Sequence, residues 1–175
     1  MTTELPGIES FILEDDGTYQ NSPLPVVFYR QAIALATNDP AASIEERFHD
    51  QGWEEVWRNG IYRFHHYHST AHEALGIARG SVSVQLGGPS GTALDLSAGD
   101  IVVLPAGTAH RNLKQSPDLL VVGAYPASQR PDLLRGESHE RPAADEIIAG
   151  VPLPTSDPVL GERGPLTEFW QTRER

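Results

Sequence analysis

The chain has 175 residues, no cysteine, and 13 Lys and Arg against 24 Asp and Glu, a formal net charge of −11. That length fits one domain with a sizeable core, and the lack of thiols excludes disulfides, a cysteine nucleophile and any thiolate metal site. The acidic balance argues against nucleic-acid and membrane partners, because it repels phosphate backbones and anionic headgroups. The N-terminus, Met1-Thr2-Thr3-Glu4-Leu5-Pro6, shows neither a basic n-region nor an apolar h-region. No apolar run reaches the roughly 20 residues of a membrane-spanning helix, so a cytoplasmic protein is expected.

In chain order, Ser10-Phe11-Ile12-Leu13 reads as a first short strand, stopped by the turn signal Asp15-Asp16-Gly17. Pro23 and Pro25 precede Val26-Val27-Phe28-Tyr29, a second strand assigned to a sheet edge because Pro donates no ladder bond. Asp39-Pro40 supplies an N-cap followed by Pro at the first helical position. It predicts a helix to about Gln51 with Ala41, Ile44 and Phe48 on the apolar face. From Trp53 onward the chain reads as strands and tight turns. The strands are Ile61 to His68, Leu75 to Ala78, Val82 to Leu86, Leu94 to Leu96, Ile101 to Leu104, His110 to Leu113 and Leu119 to Tyr125. Turn signals about every 8–12 residues, with no helix between, predict an all-β antiparallel sandwich or barrel. After Pro126 the chain becomes polar and proline-punctuated, with Asp145 to Ala149 marking a helical turn. The apolar cluster Leu166 to Trp170 is expected to dock Phe169 and Trp170. The plan is therefore N-terminal strands and a helix packing on the barrel (1–52), a barrel core (53–126) and an extension wrapping it (127–175).

Four of the seven histidines fall between His65 and His72. Strand alternation puts His66 and His68 on one face with Tyr62 and Phe64, and His65 and Tyr67 on the other. Two imidazoles on one strand face form a metal-chelating pair, and a carboxylate from the next strand, Glu73, completes a third position. His72 takes that place only if the register shifts by one residue, since only one of the two points inward. A lone core histidine is more often a hydrogen-bonded structural residue than a ligand; here the pairing argues otherwise. Tyr62, Phe64, Leu75, Ile77, Val84 and Tyr125 are expected to line the barrel, mostly as core. Arg63 and Arg79 are expected in solvent, and His49 and His139 have no visible partner.

Gly60, His66, His68, Glu73 and Gly80 follow Gly-x5-His-x-His-x4-Glu-x6-Gly, and Gly99, Pro105, Gly107 and His110 follow Gly-x5-Pro-x-Gly-x2-His. These spacings resemble the two motifs of the cupin superfamily, over about residues 53 to 125. At this composition the His-x-His-x4-Glu-x6-Gly part alone arises by chance in about two of a thousand such chains. One departure stands: the Asn that closes the second motif is here Lys114, with Asn112 two residues earlier, both on the His110 face of a regular strand. The fuller string His65 to Glu73, with Gly123-Ala124-Tyr125-Pro126, looks like the YjlB-like family of small single-barrel cupins. The resemblance implies a double-stranded β-helix, or jelly-roll barrel, with a short N-terminal helix. It also implies one divalent transition metal ion held by His66, His68, Glu73 and His110, and it favours Glu73 over His72. Three imidazoles and one carboxylate suit Fe, Zn, Ni, Mn or Cu.

Three functions follow from such a site: a metal-dependent enzyme acting on a small molecule, dioxygenase- or isomerase-like; a non-catalytic small-molecule-binding module; or a metal-stabilised structural protein. The first is preferred, although Asn112, Lys114 and Tyr62 are the only further inward polar groups the pattern offers. A homodimer is expected, because small cupins commonly associate and the edge strand Val26 to Tyr29 offers unpaired backbone groups.

Overall fold

Nine strands and three helices form within residues 7–171, the part of the chain that the computed structural model describes. The reading of Met1 to Pro6 lies outside the described residues. In order they are β1 (Ile8–Phe11), β2 (Val26–Tyr29), α1 (Pro40–Asp50), β3 (Trp53–Asn59), β4 (Glu73–Arg79) and β5 (Ser81–Leu86). There follow β6 (Thr92–Ser97), β7 (Ile101–Leu104), β8 (His110–Gln115), β9 (Leu120–Pro126), α2 (Ala143–Ala149) and α3 (Pro165–Gln171). Two antiparallel sheets face each other in a jelly roll: a six-stranded sheet in the order β1-β2-β7-β4-β9-β3 and a three-stranded sheet in the order β6-β5-β8. The all-β expectation holds.

The two sheets differ in their burial because they differ in what covers them. Along β2, β4, β7 and β9 nearly every residue is buried. Val26, Phe28, Leu75, Ile77, Val102, Leu104 and Val121 face Val82, Val84, Leu86, Leu94 and Leu96 of the small sheet. Their neighbours Val27, Tyr29, Ala74, Ala78, Ile101, Val103, Val122 and Ala124 face a second core on the outside of the large sheet. A sheet covered on both faces reads as continuous apolar runs, whereas β5 alternates because its outer face is solvated.

The outer core is closed by α1 and the C-terminal extension. Asp39 caps α1 by accepting the Ala42 amide at 3.3 Å, and Ala41, Ile44 and Phe48 are fully buried. Gly76 makes the close approach of α1 possible, since a Cβ there would sit 2.7 Å from Ile44 Cγ2. Leu166 and Trp170 of α3 fill the rest, and Trp170 Nε1 donates to the Pro25 carbonyl at 2.9 Å. Fully buried Asp157 ties the extension down. It accepts the amides of Val159, Leu160 and Leu166 at 2.7, 3.0 and 3.0 Å and the Tyr29 hydroxyl.

Three expectations need correction. Strand β2 is not an edge: β1 and β7 pair with it on either side, so it offers no free backbone to a second copy. With it, the N-terminal strands join the large sheet instead of packing outside the barrel. Ile61 to His68 is no regular strand either. It crosses between the sheets, joined by two isolated bridges, His66 to His110 and Tyr67 to Leu134, and by the Asn112 amide of β8 donating to Tyr62 O at 2.8 Å. No helix among the described residues is long and apolar enough to cross a membrane.

Candidate metal centre

Two separate elements bring the three histidines together. His66 and His68 lie on the crossing segment and His110 opens β8. Reciprocal backbone bonds, His66 N to His110 O at 3.2 Å and His110 N to His66 O at 2.9 Å, staple the crossing segment to β8. Their rings lie 4.0 Å apart, and the His68 ring lies 5.7 Å from each. One nitrogen from each of the three falls within 4.8 Å of the other two, so the trio can hold a metal ion. Glu73, the first residue of β4, adjoins them from one side. Its Oε2 is 3.3 Å from Nε2 of both His68 and His110.

The tautomers follow from the carbonyls behind each ring. His66 Nδ1 lies 3.0 Å from Phe64 O, His68 Nδ1 2.5 Å from Asp132 O, and His110 Nδ1 2.9 Å from Thr108 O. A carbonyl only accepts, so each Nδ1 carries the proton and each neutral ring turns a bare Nε2 lone pair inward. Glu73 Oε2 is buried among them without a hydrogen bond of acceptable geometry, despite the two 3.3 Å contacts. Lone pairs and a carboxylate converging in a dry site repel one another unless a cation or a proton stands between them.

The acid–base balance shows the same need. Burial alone would raise the Glu73 carboxyl, but His68 and His110 outweigh it and hold it well below the usual carboxylate range. Burial pulls His68 down, yet the Glu73 charge 3.3 Å away lifts it to about 9. His66 drops to about 3 through burial, helped by repulsion from His110. With no ion bound, the proton that quiets the cluster therefore belongs on His68.

Behind Glu73 stands a short hydrogen-bonded chain. Tyr125 OH donates to Glu73 Oε1 at 3.2 Å and accepts from Trp57 Nε1 at 2.9 Å. Burial first, and the Glu73 charge second, raise the Tyr125 hydroxyl above its ordinary value, so it stays a donor. Trp57 reaches it by lying flat on Gly123, its cross-strand partner, where a Cβ would meet the indole at 2.1 Å. His66, His68, Glu73 and His110 form one side of a cavity of about 460 Å³, walled elsewhere by Trp57, Leu75, Tyr125 and the segment Pro131 to Leu133.

The other candidates are distributed as follows. His72 points away into the outer core, 2% exposed, where its Nδ1 accepts the Ala106 amide at 2.9 Å and its ring lies 4.7 Å from Trp170. Asn112 is buried and donates to Gln115 Oε1 at 2.6 Å, whereas Lys114 is exposed. Both were expected on one face. The β5–β8 register shifts between Ser83 and Val84, pairing them with Lys114 and Asn112 and breaking the alternation at Leu113. Tyr62 is 55% exposed at the cavity's edge, stacked 4.7 Å from Phe64, while Ile77 and Val84 are plain core. Tyr67, read as outward, is fully buried beneath the extension and donates to Glu140 Oε2 at 2.6 Å. His49 and His139 are exposed beside Asp50 and Glu137, and Arg63 and Arg79 are exposed too. Sequence reasoning missed Trp57 and Asp132. The first had a signal in the bulky residue opposite Gly123; the second, acting through its backbone carbonyl, had none.

No family model matches the chain. Its sequence is 39% identical over 163 residues to the uncharacterized protein YjlB of Bacillus subtilis (strain 168), covering 93% of this chain and 96% of that one. Among solved structures, the acireductone dioxygenase of Bacillus anthracis, with a cadmium ion in its active centre, is similar over 72% of this chain and 83% of its own. The identity there is 13% and the TM-score 0.39. The 11S globulin of Wrightia tinctoria is similar over 45% of this chain and 21% of its own, at 20% identity and a TM-score of 0.35. Neither structural likeness is close enough to carry a residue's role across.

Proposed function

This chain belongs to the YjlB family, within the cupin superfamily, and from that premise we propose that His66, His68, Glu73 and His110 hold one divalent transition metal ion for a metal-dependent reaction of a small molecule. The observation that carries the reading is the set of three backbone carbonyls. Each fixes one Nδ1–H, so three Nε2 lone pairs meet beside a buried carboxylate oxygen, Glu73 Oε2, that has no hydrogen-bond partner. The donor set of nitrogen and oxygen without sulfur suits Fe, Zn, Ni, Mn or Cu. Such an ion supplies Lewis acidity toward an oxygen of the substrate.

The chain's own residues do the rest. Trp57 and Tyr125 hold the Glu73 carboxylate in one orientation, and Asp132 O holds the His68 ring. The cavity gives a small molecule access to the cluster. An oxygenase or isomerase fits the donor set, although the proton-transfer groups beyond the ligands reduce to a Tyr125 hydroxyl that stays protonated. The same scarcity favours a second reading, a metal-bearing module that binds its ligand without converting it. Metal analysis of protein purified without affinity tag or chelator tests the first half: about one equivalent is expected in the native chain, and much less in His66→Ala and His110→Ala. Full occupancy in both variants would sink it.

A further inference from the structure

We infer that the molecule bound in this cavity has one polar end, which meets the histidine cluster, and an uncharged, apolar body about the size of a single substituted ring. This rests on the reading of the cluster as a metal centre, and it concerns the opposite walls. Those walls are Trp57, Ile61, Leu75, Pro131 and Leu133, with the Tyr62 ring at the edge. Among the residues that line the cavity none is Lys or Arg. Beyond the cluster, the polar groups in the interior are already engaged; the Tyr62 hydroxyl and the Asn59 amide nitrogen, both on exposed residues at the edge, are neutral. Asp132 turns its carboxylate to the Ser69 amide, at 2.6 Å, and to the Ser69 hydroxyl. The Tyr125 hydroxyl is held between Trp57 and Glu73, and Asn59 Oδ1 accepts the Gly60 amide at 2.8 Å. Arg135 is turned onto Phe64, its Cζ 3.9 Å from the ring centroid, and does not line the cavity.

A charge on the body of the bound molecule would therefore leave water without a partner in the wall, which is costly for either sign. The cluster satisfies one polar end, and the rest of the interior offers mainly carbon, with Asp132 and Tyr125 committed to other partners. A cavity of about 460 Å³ is at the small end of ligand pockets, so a single ring with short substituents fills it. Sugars, phosphorylated metabolites and dicarboxylates need several polar anchors, and these walls do not supply them.

Three para-substituted benzyl alcohols test this: 4-ethylbenzyl alcohol, 4-(hydroxymethyl)benzoate and 4-(aminomethyl)benzyl alcohol, which share the polar end, are close in size and differ chiefly in the charge opposite it. Each is titrated into the full chain, as purified and after loading with Zn²⁺. The Trp57 indole and the Leu75 and Leu133 methyl groups are followed by NMR. The neutral probe is expected to shift all three residues saturably, with both charged probes at least about tenfold weaker. Leu133→Arg, at a half-exposed position that tolerates the change, is expected to raise the affinity of the benzoate at least about tenfold. Equal or tighter binding of either charged probe to the native chain overturns the inference, as does the failure of all three to move the wall residues. Metal content is read on the same samples. A tightly held metal with a preference for a charged probe refutes the wall argument alone. Selection of the neutral probe by a chain that takes up no metal refutes the metal reading alone.

Discussion

Replacing Tyr125 with Phe removes one oxygen and leaves the ring that packs in the barrel. Two contacts disappear with it: the donor to Glu73 Oε1 at 3.2 Å and the acceptor of Trp57 Nε1 at 2.9 Å. Loss of a hydrogen bond behind a metal ligand costs about 10–100-fold in metal affinity. At 3.2 Å the Tyr125 bond is longer than the usual O–H···O separation of about 2.7–2.8 Å, so the lower end, about tenfold, applies. The indole N–H left without its acceptor costs a further ~1 kcal/mol of stability, the lower end of the penalty because Trp57 is only partly buried. Competition against a chromophoric chelator measures the first effect and urea unfolding of the metal-free protein the second. Trp57→Phe acts on Glu73 only through the Tyr125 hydroxyl, so the double variant should lose no more metal affinity than Tyr125→Phe alone. A Tyr125→Phe protein with metal affinity within twofold of the parent, in a background where Glu73→Gln abolishes binding, refutes the role given to this chain of bonds.

Glu73→Gln should lose most of its metal while His72→Ala keeps it, as read by metal analysis, because the two side chains lie on opposite faces of the large sheet. His72→Ala should still lower stability by about 1–3 kcal/mol in urea, since it orphans the buried Ala106 amide. Because Glu73 lifts His68 to about 9, an arriving ion must displace a proton at pH 7, and metal affinity should rise about 50-fold from pH 7 to 9 and level off above that. His66, lowered to about 3, adds no proton in that range. Calorimetry in buffers of different ionisation enthalpy should count about one proton released at pH 7, and a count of zero contradicts the scheme. Asp157→Ala strips acceptors from three amides and the Tyr29 hydroxyl at a fully buried position, and should cost about 3–5 kcal/mol in urea unfolding. Its metal affinity, measured on the folded fraction, should stay near that of the parent.

What the sequence made legible was local. Asp39-Pro40 announced α1 because the cap and the fixed φ are chemical properties of adjacent residues, and the 3.6-residue spacing of Ala41, Ile44 and Phe48 marked its buried face. The ligand candidates were readable because their intervals are short and set by strand and turn geometry. What depended on distant partners was not readable. Val26 to Tyr29 shows the same four apolar residues whether it lies at an edge or between β1 and β7. The register shift at Ser83, which sends Lys114 outward, is a property of a strand pair rather than of β8 alone. Tyr67 read as an outer-face residue because its cover, Leu134 and Glu140, lies some seventy residues along the chain.

The strand order of the large sheet bears on how the protein is made. Of its five pairings, β1-β2, β2-β7, β7-β4, β4-β9 and β9-β3, only the first joins strands consecutive in sequence. Loop-closure entropy has to be met before such pairings return any stability, which slows folding and lengthens the life of unpaired edges. During synthesis β4 emerges before both of its neighbours, β7 and β9, and β3 waits for β9. His66, His68 and Glu73 thus leave the ribosome ahead of His110, Tyr125 and the Asp132 carbonyl that orient them. Ion capture in the mature geometry belongs to the finished polypeptide, and a translational stall before β9 would leave the early ligands exposed on an open sheet.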